Sequence, residues 1–107
     1  MSMSTETLAA TPVEVNEEGF FVRPEEWSEA MVPELAQREG IGELTDRHWL
    51  VIRFMRSEYL SKGAGPTVRI LGKTSGVSIQ ELYQLFPKGP AKVAARTAGI
   101  PKPRGCI

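Results

Sequence analysis

The longest helix this chain can support runs from Thr45 and Asp46, which cap it, to about Lys62, just before Gly63. Trp49, Ile52, Met55 and Tyr59 recur along it at helical spacing, and Val51, Phe54 and Leu60 widen the apolar face. A face that broad needs neighbours on several sides, which predicts the central helix of an α-bundle. The segments around it are shorter, because proline and glycine cut them. Pro24, with Glu25 and Glu26 in the first turn, starts a helix to about Arg38 that Gly40 stops, with Pro33 marking a kink or break near Val32. Pro66 opens a short helix through Leu71 to about Thr74, ended by Gly76. Ser78 caps another, where Ile79, Leu82, Tyr83 and Phe86 form one stripe and Pro87 terminates. Gly89 and Pro90 start a last helix, Ala91 to Ala98, which Gly99 ends.

The two ends read differently. Val13 to Val22 alternates apolar and polar residues around an Asn/Gly turn signal, as a short β-hairpin does. Residues 1–12 are small and polar without periodicity and are expected to be disordered. Beyond Gly99, Pro101 and Pro103 favour an extended, flexible arm. The expected architecture is mainly α: a small helical bundle over residues 13–98, with an N-terminal hairpin, an internal helix-turn-helix-like pair and a C-terminal arm over 99–107.

At 107 residues the chain makes one small domain with a modest core. It has no apolar run near the length of a bilayer span and no basic-then-apolar leader, so no membrane partner is expected. Its single cysteine excludes an internal disulfide framework, and a free exposed thiol suits a reducing compartment, with the cytoplasm as default. The formal charge of zero hides an asymmetry. Residues 1–50 carry eleven acidic and three basic side chains, and residues 51–107 carry two acidic and ten basic. Two faces attracting each other in the fold would explain this, and so would docking surfaces that steer encounter with partners.

The lone cysteine, Cys106, lies in the tail Gly99-Ile-Pro-Lys-Pro-Arg-Gly-Cys-Ile107. A structural cysteine packs inside an apolar element. This one follows two prolines and two glycines, and five cations with no acid lie between Pro87 and the end: Lys88, Lys92, Arg96, Lys102 and Arg104. Cations favour the thiolate, which is the nucleophile. An unperturbed thiol titrates near about 8.5. Lys102 and Arg104 oppose the Ile107 carboxylate there, so strong activation has to come from a partner's pocket or from a further cation. The alternative is a frayed terminus that carries a cysteine.

Several motifs together carry a resemblance. Leu85-Phe-Pro-Lys-Gly-Pro-Ala91, then Ala98-Gly-Ile-Pro-Lys-Pro103, precede the penultimate cysteine. Upstream stand Gly19-Phe20, Trp27-Ser28, Glu39-Gly40-Ile41, His48-Trp49 and Pro66-Thr-Val-Arg-Ile-Leu71. The chain resembles the DsrC/TusE family of sulfur-trafficking proteins from about Val13 onward. That resemblance implies that Cys106 carries sulfur as a persulfide. It also implies two kinds of partner: a persulfide-donating sulfurtransferase, and a sulfur-accepting protein such as the enzyme that thiolates the wobble uridine of certain tRNAs. Members that work with dissimilatory sulfite reductase carry a second cysteine eleven residues earlier, where this chain has Ala95. With one thiol no intramolecular disulfide can close, and sulfur leaves only by attack of an acceptor thiol. The pattern is similar to the single-cysteine, TusE-like branch, with sulfite reductase kept as the alternative partner. No cofactor and no metal is implied.

Two other features need weighing. Gly76-Val-Ser78 followed by Leu82-Tyr83 and Phe86 resembles the helix-turn-helix of TetR-type repressors. Its exposed positions would be Ser78, Gln80, Glu81 and Gln84, with no cation among them, whereas phosphate contact dominates DNA affinity. A packing hairpin is therefore favoured and DNA is not an expected partner. His48, the only histidine, is read as a packed or capping residue, since one His and one distant Cys do not make a metal site. Arg69 either points toward the arm and Cys106 or pairs with the acidic N-terminal half.

Overall fold

A computed structural model describes residues 3–104. It contains an N-terminal β-hairpin and five α-helices among those residues. The first strand is a correction to the expected disorder of residues 1–12. β1 (Met3–Leu8) pairs antiparallel with β2 (Thr11–Asn16), with Met3 opposite Asn16 and Leu8 opposite Thr11. The two linking residues, Ala9 and Ala10, have φ of +48° and +63°. Two successive positive φ values define the tight turn whose twist suits a hairpin, and Asn-Gly is its usual signature. Alanines hid it. β1 is held instead by distant groups: Leu8 is fully buried with Val13, Val15, Phe21, Met31 and Leu35, and Glu6 pairs with Arg38.

The turn expected after Val15 is also present. Asn16 Oδ1 accepts from the N–H groups of Glu18 and Phe20 at 2.9 and 3.0 Å, and Val15 bridges to Phe21. From Pro24 the expected single helix is replaced by two 3-10 turns, Pro24–Glu26 and Glu29–Met31, followed by α1 (Val32–Arg38). The break falls at Trp27 and Ser28, both extended, and Pro33 lies in the first turn of α1 rather than at a kink.

α2 (Asp46–Lys62) is the central helix, as its apolar width requires. Thr45 caps it with His48: the Thr45 N–H donates to His48 Nδ1 at 3.1 Å, and Thr45 Oγ1 accepts from the His48 N–H. That leaves Nε2 to donate to the Leu85 carbonyl at 3.0 Å, while the ring meets Phe86 edge-on. His48 is thus the packed cap the sequence suggested. Val51, Ile52 and Met55 are fully buried, Trp49, Phe54 and Tyr59 pack around them, and Leu60 turns outward at 70 % exposure.

α3 (Val68–Thr74) and α4 (Ile79–Leu85) are capped by Thr67 and Ser78 and form the expected hairpin. Its second helix is tied to α2, since Arg47 Nε and Nη2 reach Glu81 Oε2 and Oε1, both at 2.8 Å. The bidentate guanidinium holds the Glu81 carboxyl below its ordinary value. One of the four side chains a DNA-reading helix would present is therefore occupied within the protein. α5 (Pro90–Thr97) follows, with Pro90, Ala91, Val93, Ala94, Ala95 and Thr97 all buried. Small alanines let the other helices approach this one closely. No described helix is long and apolar enough to cross a membrane.

Candidate functional site

The site begins where α5 stops. Gly99 has φ +66°, the Ile100 N–H donates to the Ala95 carbonyl at 3.1 Å, and the Gly99 N–H donates to the Arg96 carbonyl at 3.3 Å. These two bonds form the Schellman ending, in which a left-handed residue reverses the chain off the helix. Glycine is needed here for a second reason. A Cβ on Gly99 would clash with Cδ1 and Cγ of the Trp27 ring and lie 2.6 Å from Trp27 Cβ. Trp27 is itself anchored, because its Nε1 donates to the Thr97 carbonyl at 2.8 Å.

Arg56 closes this seat from the α2 side. Its Nη1 donates to the Ala98 carbonyl at 2.8 Å and approaches the Gly99 carbonyl at 3.4 Å, and Nη2 donates to the Pro24 carbonyl at 3.2 Å. Its guanidinium lies 4.2 Å from the centre of the Trp27 ring. The last carbonyls of a helix have no partner within it and carry partial negative charge, so a cation there is favoured. Burial pulls the Arg56 guanidinium below its ordinary value, with the nearby Tyr59 acting weakly the other way.

The arm then lies on the core instead of leaving it at Gly99, which corrects the expected flexible arm over 99–107 as far as Arg104. Ile100 is fully buried and Pro103 is buried beside Gly65, because their apolar surface finds a cover in the α2–α3 loop. Gly65 permits this: a Cβ on it would lie 2.7 Å from Ile100 Cδ1. Lys102 Nζ pairs with Glu18 Oε2 at 3.2 Å. Arg104 is exposed at a groove of about 170 Å³ that it shares with Tyr59, Gly63, Gly65 and Pro101. Cys106, the predicted sulfur carrier, lies outside the described residues, two positions beyond Arg104. Arg69 is exposed on α3 and makes no hydrogen bond or ion pair among the described residues.

A second brace supports the same element. Arg96 of α5 grips Glu39, Nε to Oε2 at 2.7 Å and Nη2 to Oε1 at 3.2 Å, while its guanidinium covers the Phe20 ring. Its Nη1 also donates to the Glu18 carbonyl. Gly19-Phe20, Trp27 and Glu39, which the sequence marked only as landmarks, all bear on the end of α5. Part of the charge asymmetry is consumed here, since Arg96 and Lys102 bind acids of the N-terminal half. Lys88, Lys92 and Arg104 have no acidic partner among the described residues.

The model of the family described as "DsrC like protein" matches residues 7–107. The chain belongs to the DsrC-like family. The gamma subunit of dissimilatory-type sulfite reductase from Nitratidesulfovibrio vulgaris is 39 % identical over 105 residues, covering 98 % of this chain and all of that relative. Sulfurtransferase TusE of Yersinia pseudotuberculosis is 42 % identical over 102 residues, 89 % of this chain and 94 % of the relative. Among solved structures, that of Allochromatium vinosum DsrC matches with a TM-score of 0.81 at 36 % identity, covering 98 % of this chain and 99 % of that one. The mainly α DsrC-like fold with its N-terminal hairpin is thereby established. Relatives of both names stand at similar identity, so overall similarity does not separate the two branches.

Ala95 bears on that separation. It is fully buried on α5, and its carbonyl holds the root of the arm through Ile100. In a Cys106→Ser background, an Ala95→Cys thiol should react with a thiol reagent at least about tenfold more slowly in the folded chain than in denaturant, since attack awaits local opening. Equal rates would show that the root of the arm is already open.

Arg56 was missed in the sequence reading, although a signal existed. Ile52, Met55, Arg56 and Tyr59 follow the i, i+3, i+4, i+7 spacing, so Arg56 falls on the apolar stripe of α2. A cation placed there needs carbonyls to meet it.

Proposed function

We propose that this DsrC-like chain is a sulfur carrier that works through Cys106, in the manner of a persulfide relay rather than a stand-alone enzyme. The Cys106 thiolate attacks the outer sulfur of a donor persulfide, the donor S–S bond breaks, and the donor leaves as a thiolate. Cys106 then holds an S–SH group with no net oxidation or reduction. An acceptor thiolate attacks that outer sulfur, and Cys106 is released as thiolate. The observation that carries this reading is the combination of family membership with a single cysteine placed just past an arm root braced by Trp27, Arg56 and Ile100.

The acceptor favoured is a tRNA-thiolating enzyme, and the donor a sulfurtransferase that presents a persulfide. Relatives named sulfurtransferase TusE support that assignment, and Ala95 supports it against the sulfite-reductase alternative, because a chain with one thiol cannot expel sulfur internally. Lys102, Arg104 and the exposed Arg69 are assigned to docking of the partners. A reducing compartment, the cytoplasm, is the setting that keeps a lone thiol free. The test is delivery of labelled sulfur from loaded Cys106. Transfer to a tRNA-thiolating enzyme and onward to tRNA is expected. Transfer confined to a complex with sulfite reductase would assign the chain to the other branch.

A further inference from the structure

Gly99 is the point where the helix becomes the arm, and it is the residue whose backbone resists rotation least. Arg56 Nη1 reaches the carbonyls on both sides of the Gly99 Cα, those of Ala98 and Gly99. Its Nη2 ties the same guanidinium to the Pro24 carbonyl, and the plane is stacked on Trp27, which is bonded to Thr97. One side chain therefore holds the carbonyl sides of both peptide planes that flank the most pliant residue of the arm. The N–H sides of the same two planes are held by the helix ending, Gly99 to the Arg96 carbonyl and Ile100 to the Ala95 carbonyl, so Arg56 secures the carbonyl sides. Farther along the arm, Lys102 and Glu18 are side chains 43 % and 48 % exposed, and such pairs contribute little. The Ile100 side chain holds the arm down, but that apolar contact has no direction of its own.

We propose that Arg56 is the positioning residue of the arm, setting the direction in which residues 100–104 lead toward Cys106 so that the sulfur can be presented to a protein acceptor. This rests on the carrier reading. Arg56 touches no reacting atom among the described residues. It acts through Gly99, and a lysine cannot replace it, because a point charge neither stacks on Trp27 nor spans three carbonyls.

The test uses Arg56→Gln and Arg56→Lys in the full chain. In Arg56→Gln, exchange of the Ile100 amide, whose partner is the Ala95 carbonyl, should rise at least about tenfold while the Val93 amide within α5 stays as in the native chain. Sulfur delivery from loaded Cys106 to a protein acceptor should fall at least about tenfold, and delivery to a small thiol, which needs no placement of the arm, should not change. Arg56→Lys should fall between. Unchanged Ile100 exchange would overturn the proposal. So would native delivery despite faster exchange, or equal loss of protection at Val93 and Ile100 in both variants. Failure of the native chain to load sulfur would sink the carrier reading instead, while the contrast between Ile100 and Val93 would still decide whether Arg56 clamps the arm.

Discussion

Replacing Cys106 with serine is expected to abolish sulfur uptake entirely. Incubated with a persulfidated donor and read by intact mass, the native chain should gain about 32 Da, one sulfur atom, in the reversible persulfide form. Cys106→Ser should gain nothing, because the chain has no second thiol to take the sulfur. The expected effect is all-or-none, since no other side chain here forms a persulfide. Reduction should return the loaded native protein to its starting mass, which separates a persulfide from an irreversible oxygen adduct. An equal gain of mass in Cys106→Ser would remove the carrier reading. Serine keeps the size of the cysteine side chain, so the thermal transition of the variant should match that of the native chain.

The largest effect on stability is expected from Gly99→Ala. Two costs combine at this position. A left-handed conformation costs a non-glycine residue roughly 1–2 kcal/mol. The new methyl group would also occupy the place of the Trp27 ring, and forcing groups into a packed region costs about 1–3 kcal/mol. Trp27 cannot simply step aside, because its Nε1 is bonded to Thr97 and its face to Arg56. A loss of about 2–5 kcal/mol would lower the Tm of a domain this size by at least about 8 °C. Gly63→Ala is the control: its φ of +78° is equally left-handed, but a Cβ there meets nothing within 4 Å. It should carry the backbone cost alone, about 1–2 kcal/mol, and lower the Tm less than Gly99→Ala does, by about 4–8 °C per kcal/mol. Equal shifts in the two variants would show that Trp27 does not press on Gly99.

Much of this protein is legible one segment at a time. Thr45, Thr67 and Ser78 accept from backbone N–H groups at helix starts, Gly63 and Gly99 end helices in left-handed conformations, and Pro90 opens α5, all from local chemistry. The apolar stripe of α2 is equally local, and it locates the centre of the bundle, although Leu60 at its edge proves exposed. The thiol on which the proposed carrier role rests is also a sequence property, because the chain has a single cysteine.

The elements that escaped the sequence reading share a cause. β1 has only one fully buried side chain, Leu8, and a turn made of two alanines, so neither periodicity nor turn chemistry announces it. It exists because Val13, Phe21 and Met31 offer Leu8 a core. The helix expected over 24–38 breaks at Trp27 because that side chain is bonded to a carbonyl seventy positions away. The arm was read as free because prolines resist regular structure, yet Ile100 and Pro103 are buried once the α2–α3 loop lies beneath them. Its root is set by Arg56 and Trp27, and its charge is met by Glu18, eighty-four positions from Lys102. The sequence by itself thus determined α2 to α5, their caps and the presence of a single thiol, since each depends on residues within a turn or two. Only the tertiary structure decided what the arm lies against and which way it leads, because those depend on hydrogen bonds and apolar cover from groups the chain brings together only when folded.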